Sequence, residues 1–555
     1  MDGQMKVTKE SERDLEPETS VKQFDLAGTG AEQYEQSSRE SYHASNDDDE
    51  IQNTIDLQQL DKLTQTKSIP YNVLEGKEKA FVIMTGAFSA IISPMSSSIY
   101  FPALDTLAKD LNVSNSLINL TVTTFLIFQG IAPSFVGTYS DVYGRRPAFL
   151  ACFIIYMGAN IGLALQNSYA ALMVLRCVQS SGSSGTIALA SAVVADITTR
   201  AERGKYIALA TLGITVGPSV GPVIGGLLNH FLGWHSIFWF LEILSGVLFI
   251  LIFILLPETC RAVVGNGSIP PPRWNRSLLQ IWTESRKTKI PVRIDYESRT
   301  TTNRRVNPFQ TVLIARRAEP FVLLFYGGLL FGGYTAVLST LSQELSRRYS
   351  FNTIQIGLCF IPIGLGSLCS RQVFSRTLDW NFRRQAKKTG LEIVKNKNQD
   401  ISNLDVEKAR LQIAIPILFS ASGSIIMYGW IMKFKTNLAG PVISLFLVGL
   451  TISGSLTVLN TLLLDTSRSN PATAIASANL FRCSFSAGAA AVATPLINSI
   501  NIGWTATLVG FIWILFSPLL FLVQAKGLHW RQQRAEHEAA IKADKVNTEK
   551  VGSVV

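Results

Sequence analysis

Charged residues are scarce in this sequence, and their scarcity argues against a soluble fold. Only 16% of the 555 residues are charged, whereas 47% are hydrophobic. From Ala80 onward, uncharged apolar runs of about 20 residues recur, which is the length that crosses the hydrocarbon core of a bilayer. The runs are apolar on every side, whereas a helix on the surface of a soluble protein is apolar along one stripe. The sequence therefore predicts an integral membrane protein.

Several motifs of soluble-protein chemistry are missing as well. No glycine-rich loop ends in Gly-Lys-Ser or Gly-Lys-Thr, so ATP is not expected to drive this chain. No catalytic triad or pair of catalytic carboxylates stands out, so we expect neither an enzyme nor a bound cofactor. None of the six cysteines falls in a predicted external loop, and their spacing does not suit zinc. We therefore expect no disulfide framework and no metal site.

Twelve apolar runs are present, and they fall into two sets of six around a long basic segment. The predicted spans are 80–102, 116–137, 147–166, 168–193, 206–228, 235–257, 320–341, 354–370, 411–432, 438–464, 473–498 and 503–524. They predict an all-α protein with an N-terminal six-helix bundle at 79–257, a cytoplasmic linker at 258–319 and a C-terminal six-helix bundle at 320–524.

The distribution of charge predicts the orientation in the membrane. Loops on one side carry 28 lysines and arginines, and loops on the other side carry 5. The positive-inside rule then places both termini in the cytoplasm, and Arg347 and Arg348 are a local exception on the external side. Residues 1–78 hold 18 acidic and 8 basic side chains and predict a disordered acidic tail without a removable signal peptide. Residues 525–555 form a second cytoplasmic tail. The basic excess thus reflects topology, and we expect no nucleic-acid partner.

A short sequence pattern that occurs once in each half suggests that the two halves are repeats. The loop after the second span contains Asp141 followed by Arg145 and Arg146, and the loop after the eighth contains Asp379 followed by Arg383 and Arg384. Internal repeats of this kind are common in secondary transporters.

The first of these loops resembles a motif of the major facilitator superfamily. Gly137, Asp141, Gly144, Arg145 and Arg146 match its Gly-x-x-x-Asp-x-x-Gly-Arg-Arg pattern, although Tyr139 and Val142 depart from what the family often has there. By this resemblance Asp141 and the two arginines clamp the spans on the cytoplasmic side.

Two further stretches resemble the same family. In span 4, Arg176 and Gln179 match its Arg-x-x-Gln motif, with Ser180 in place of the usual glycine. In span 5, "GITVGPSVGPVIGG" is similar to the family's antiporter motif. Together with "SIYFPAL" and "LLPET", these stretches resemble the fungal drug:proton antiporters with twelve spans, nearest to the quinidine-resistance, acid-resistance and dityrosine-exporter group. The resemblance covers residues from about 80 to 524.

The glycines and prolines of span 5 allow two interpretations. Four glycines spaced by four form a small-residue face on which another helix can pack closely. Two prolines each remove a backbone hydrogen bond and bend the axis. The helix either packs tightly or also seals a gate, and the resemblance favours the gate. The residues are Gly213, Gly217, Pro218, Gly221, Pro222, Gly225 and Gly226.

Charges within the spans are candidates for substrate or proton coupling, because a charge inside a membrane is costly. They are Arg176 in span 4, Glu242 in span 6 and Arg482 in span 11. Glu242 is the hypothetical proton carrier, and a packing role remains open for it. Other candidates for a substrate cavity are Tyr100, Gln129, Ser183, Tyr334, Asn460 and Asn479.

The function predicted from the residues and the resemblance together is a proton-coupled exporter of small organic molecules or drugs. It is expected to act as a monomer in the plasma membrane, with protons, small organic substrates and lipid as its partners. Alternatives are an uncoupled facilitator and an exporter specific for an organic acid, an amino acid or a spore-wall precursor. A membrane enzyme and a receptor remain outlying alternatives.

Overall fold

The computed structural model describes residues 76–198, 212–278, 310–388, 405–467 and 471–533, with a few isolated positions beside them. Within these segments the regular elements are helices, and no strand occurs. The predicted N-terminal tail, most of the linker and the end of the C-terminal tail lie outside the described residues.

Helices are present at all twelve predicted spans. The last two form one helical stretch, Pro471–Phe516, which is broken at Asn501 with φ 68° and ψ 157°, and helix continues after a turn to residue 533. We name the parts before and after Asn501 α11 and α12. The others are α1 (Gly76–Ser98), α2 (Asn115–Tyr143), α3 (Arg145–Leu165), α4 (Tyr169–Ile197), α5 (Leu212–Leu232), α6 (His235–Leu255), α7 (Ala318–Tyr349), α8 (Ile361–Lys388), α9 (Val406–Lys433) and α10 (Ala439–Thr466).

Length and hydropathy support membrane crossing for most of these helices. In the described segments, nine helical stretches are long and apolar enough to span a membrane, and α11 and α12 count as one of them. α4 and α5 are not among the nine, and α4 carries a polar face around Arg176, Gln179 and the serines. A polar face on a membrane helix must lie against protein or a water-filled cavity.

The spans differ from their predicted bounds in two instructive places. α8 continues to Lys388, well beyond the predicted end at residue 370, and a separate turn of helix, Thr353–Leu358, precedes it. That short helix begins with a capping box, in which Asn352 accepts from the amide of Gln355 and Gln355 accepts from the amide of Asn352. The loop predicted after span 1 also contains a helix, Leu104–Asp110.

The helices pack in two matching sets. In the N-terminal set α4 contacts α1, α2 and α3, and in the C-terminal set α10 contacts α7, α8 and α9. Between the sets, α2 packs on α11 and α5 packs on α8.

Hydrogen bonds join the halves on the predicted external side. Asn119 donates to the hydroxyl of Thr494 at 2.6 Å, and Thr123 donates to the carbonyl of Ala487 at 3.2 Å. Nearer mid-membrane, Asn479 donates to the carbonyl of Gln129 at 3.2 Å. The halves are therefore closed against each other from the external end of α2 to its middle.

Candidate functional site

Arg145 is the centre of an ion cluster at the predicted cytoplasmic ends of α2, α3 and α4. Its guanidinium pairs with Asp141 at 2.5 Å and with Asp196 at 2.8 Å, and it also donates to the hydroxyl of Ser140. Asp141 and Arg145 thus form an ion pair, and their role in clamping the spans stays a prediction. Asp196, at the end of α4, was not singled out from the sequence, because a lone aspartate in a loop gives no signal.

Glu258 completes this cluster by capping α3. Its carboxylate accepts from the backbone amides of Arg145 at 2.8 Å and Arg146 at 3.2 Å, and from the side chain of Asn275 at 2.7 Å. An anion at a helix N-terminus satisfies free amides and is favoured by the helix dipole. Gly144 has φ 111°, and a Cβ there would overlap this carboxylate, so glycine is required on both counts.

Arg146, in the first turn of α3, and Cys260, in the segment after α6, lie beside this cluster. The guanidinium of Arg146 donates to the carbonyl of Phe253 at 2.8 Å, so it anchors α3 to α6 and does not pair with Asp141. Cys260 donates from its thiol to the carbonyl of Asp141 at 3.8 Å. Burial raises the pKa of the Cys260 thiol to about 11, against a lowering by nearby Arg145, so this thiol stays protonated at neutral pH.

Asp196→Asn should lower both stability and transport more than Asp141→Asn. The side chain of Asp196 is 12% exposed and that of Asp141 is 35% exposed. Removing the negative charge of Asp196 therefore leaves the positive charge of Arg145 without its more buried partner, where water compensates less. Thermal unfolding and transport per inserted molecule measure the difference. Asp379→Asn, at the exposed counterpart in the second half, is the control and should change neither. Equal effects at all three positions would contradict the clamp.

The repeat inferred from Asp379, Arg383 and Arg384 takes a different form in the structure. These side chains are exposed, and Asp379 makes no ion pair with the residues that the structure describes. The counterpart of the Arg145–Asp196 pair is instead Arg410 with Asp465, at 3.1 Å, between the start of α9 and the end of α10. Asp379 lies outside any such cluster because α8 continues as a helix through this segment and leaves its side chain exposed.

Arg176 is fully buried within the N-terminal half. Its guanidinium lies between two aromatic rings, with centroids at 4.2 Å for Tyr100 and 4.3 Å for Phe125. It donates to the side chain of Gln179 at 2.7 Å and weakly to the carbonyl of Ser96 at 3.4 Å, while Nε and Nη2 have no partner. The charge is thus stabilised by cation–π contacts and has no carboxylate partner in the described structure.

A chain of polar side chains extends from Arg176 to α3. Gln179 donates to Asn160 at 2.6 Å, and Tyr156 shares a 2.5 Å hydrogen bond with Ser96. The sequence marked Gln179, but Tyr156 was not identified from it, because one tyrosine in an apolar run resembles any other packing residue.

Glu242 lies apart from Arg176. It is half-buried on α6, which packs chiefly on α3, and Oε2 has no hydrogen-bond partner. Its neighbours Trp239 and Ile243 are exposed on the outer surface. No hydrogen bond in the described structure connects Glu242 to Arg176 or to its polar neighbours.

The glycine face of α5 packs against α1. A Cβ at Gly217 would lie 3.0 Å from the amide nitrogen of Met95, and one at Gly225 would overlap the carbonyl oxygen of Ile99. Gly213 and Gly221 meet α1 in the same way. Pro218 and Pro222 lie inside the same helix. Four of the motif glycines therefore hold α5 on α1 within one half.

Gly226 lies on a different face and makes the contact between the halves. A Cβ there would lie 2.5 Å from the carbonyl oxygen of Thr353, just before α8. On the other side, a Cβ at Gly357 would lie 2.8 Å from the carbonyl oxygen of Pro222. The two halves therefore approach each other closely between α5 and the turn of helix before α8, and the gate at this motif stays a prediction.

The remaining cavity candidates are divided between the two halves. Arg482 and Asn460 line one small cavity between α7, α10 and α11, and the Arg482 guanidinium lies 5.6 Å from the ring of Phe331. Gln129 and Asn479 bond across the halves. Tyr100 and Ser183 are fully buried, and Tyr334 is partly buried on α7.

Arg371 on α8 was overlooked because it follows the predicted end of span 8. It lies two turns after Gly364, where a Cβ would overlap the side chain of Ser219 on α5, so it is on the face of α8 turned toward the other half. It has no ion-pair partner in the described structure. Its signal was present in the sequence, since an arginine that follows an apolar run often lies within the helix.

In the described residues, helices at the predicted spans pack as two matching sets with polar side chains at the contacts between them. An arrangement of two related helix sets is typical of secondary transporters. The family model of the Major Facilitator Superfamily matches residues 86–491, and the chain belongs to this superfamily.

Curated relatives and solved structures agree with this assignment. The chain is 45% identical over 466 residues to the MFS-type transporter clz19 of Cochliobolus lunatus, covering 84% of this chain and 88% of that one. It is 32% identical over 470 residues to Citrate exporter 1 of Aspergillus niger, covering 84% and 89%. In fold it is similar to a D-xylose–proton symporter, with TM-score 0.56 and 16% identity over 80% of this chain and 97% of that one. The protein is thus a multi-pass membrane transporter and not an enzyme.

Proposed function

We propose that the protein is a proton-coupled exporter of small organic molecules that works by alternating access. The observation that carries this proposal is the buried Arg176, which has two unpaired nitrogens in a half whose external gate is closed by contacts of α2 with α11 and of α5 with α8. Burying an unpaired charge is costly, so a fold that retains one uses it for transport. We further propose a monomer in the plasma membrane.

A specific organic-acid exporter is the second candidate, and the charges favour it over an exporter of cationic drugs. Arg176, Arg371 and Arg482 all lie in spans, and none forms an ion pair with the described residues. Unpaired guanidinium groups attract carboxylates and repel cations. The name of the citrate exporter that this chain resembles is in line with such a substrate.

The energetics of exchange also favour an anion. Export of a monovalent anion against import of one proton moves two charges down the membrane potential, worth about 2.3 kcal/mol each per 100 mV. A tenfold proton gradient adds about 1.4 kcal/mol. The total of about 6 kcal/mol supports a gradient on the order of 10,000-fold, since each 1.4 kcal/mol is tenfold. A monovalent cation exchanged for a proton gains only the pH term.

Sealed inside-out vesicles with an imposed pH gradient provide the test. Uptake of radiolabelled mono-, di- and tricarboxylates should depend on the gradient and collapse with a protonophore, and quinidine-like cations should be taken up less. Uptake that ignores the pH gradient would establish an uncoupled facilitator instead. Preference for cations would overturn the organic-acid candidate and leave the multidrug one.

Glu242→Gln should abolish pH-driven accumulation while downhill exchange of the same substrate persists. Glu242 is a titratable carboxylate inside a span, and its Oε2 has no hydrogen-bond partner in the described structure. The measurement is uptake in vesicles with and without a pH gradient, and Glu319→Gln, a second buried carboxylate at the start of α7, is the control for loss of a carboxyl as such. Unchanged accumulation in Glu242→Gln would exclude this residue as the carrier.

A further inference from the structure

A second cavity lies on the predicted external face, between the two halves. Its volume is about 700 Å³, and its walls come from the start of α2, the end of α7, the loop after α9 and the end of α11. The first wall belongs to the N-terminal half and the other three to the C-terminal half. The cavity is therefore an external vestibule whose shape depends on the relative position of the two halves.

The vestibule is positively charged. Arg347, Arg348 and Lys435 line it, and no carboxylate is among its lining residues. Arg348 is held by Glu344 at 2.5 Å. Arg347 and Lys435 are exposed and form no ion pair within the described part of the chain, so two cations remain available to a ligand. The exception to the positive-inside rule is thus concentrated in one cavity.

Neutral donors complement these cations on the opposite wall. Ser114 caps α2 by accepting from the amide of Leu117, and the amides of Asn115 and Ser116, in the first turn, have no partner within the helix. Asn498 and Asn501 contribute side-chain amides from the end of α11, in the same half as the cations. Backbone amides on the wall of the N-terminal half and cations on the walls of the C-terminal half suit a ligand with carboxylates at both ends.

The vestibule lies directly over a contact between the halves. Thr494 lines it and accepts the 2.6 Å hydrogen bond from Asn119 that ties α11 to α2. Opening of the external side must separate α2 from α11 and pull the walls apart. A ligand bound across the walls therefore binds the closed state better than the open one, and it shifts the equilibrium toward closure.

We propose that this vestibule binds small organic anions carrying two or more carboxylates from the external medium, and that bound anion holds the external gate closed. External polycarboxylate then inhibits the transport cycle from the outside. The proposal requires alternating access but does not depend on which substrate is carried.

Accessibility of a cysteine below the vestibule tests the proposal without a transport assay. Ala490, fully buried on α11 one turn before Thr494, is replaced in Ala490→Cys. In intact cells a membrane-impermeant maleimide labels this cysteine when the external side opens. The parent chain gives the background from native cysteines. Citrate is the external probe, and sodium chloride at equal ionic strength is the control for screening.

We expect citrate at ten times its dissociation constant to slow labelling by about tenfold, as mass action requires for a ligand of the closed state. Adding Arg347→Gln and Lys435→Gln should remove this protection. Without citrate, the labelling rate per molecule at the cell surface should equal that of Ala490→Cys alone. Three results would overturn the proposal: no protection by citrate, equal protection by chloride, or undiminished protection in the double variant, which would place citrate at another site.

Discussion

Arg176→Met should reduce transport by more than tenfold and leave thermal stability equal or higher. Met fills the space between Tyr100 and Phe125 and keeps a favourable contact of sulfur with the rings. It also removes a buried charge whose Nε and Nη2 lack partners, so the cost of desolvation disappears. A purely structural arginine would show the opposite pattern. Its loss would lower stability, and transport would fall only as far as the amount of folded protein falls.

Two matched variants sharpen this prediction. Arg176→Lys retains the charge but lacks the planar group that stacks on the rings, so transport should be partly kept. Arg410→Met removes an arginine that is ion-paired with Asp465, and here stability should fall. The measurements are vesicle uptake per inserted molecule and the unfolding temperature in detergent. Full transport by Arg176→Met would exclude a role for this charge in coupling.

Gly225→Ala should be far more damaging than Gly217→Ala, although both glycines belong to the same face of α5. At Gly225 the new Cβ overlaps the carbonyl oxygen of Ile99, a backbone atom that moves only with α1. At Gly217 the nearest atom is 3.0 Å away, and a shift of a few tenths of an ångström relieves the contact. Overpacking costs typically about 1–3 kcal/mol, and we expect Gly225→Ala at the upper end.

Gly158→Ala is the control for the glycine series. No neighbour lies within 4 Å of a Cβ at this exposed position of α3. Alanine is the better helix former, so stability should be unchanged or slightly higher. Unfolding temperature and surface expression rank the variants. If Gly225→Ala is as mild as Gly217→Ala, the close packing of α5 on α1 is not what the glycines provide.

Much of the architecture could be predicted from the sequence, because membrane spans depend on one strong signal. An apolar run of about 20 residues has few alternatives to a spanning helix, so helices are present at all twelve predicted spans. Their ends were less certain. Lys387 and Lys388 at the end of α8 extend a helix beyond its apolar part, and hydropathy cannot detect such an extension.

The candidate site was harder to predict, because its partners are distant in sequence. Arg145 and Asp141 are four residues apart on adjoining helices and could be paired by inspection. Asp196 reaches the same cluster from the end of α4, and Glu258 reaches it from the loop after α6. The aromatic rings around Arg176 come from α2 and from the turn after α1. Spacing within one helix gives no information on such contacts, and only the packing of four helices brings them together.

The adjacent glycines of α5 have a mechanical consequence. Gly225 fixes the helix to α1, and Gly226, the next residue, approaches the chain leading into α8 in the other half. Because the first contact is between backbones and leaves no slack, the proposed alternating access would require α5 to move together with α1. The contact beside Gly226 would then be the one that separates when the external side opens.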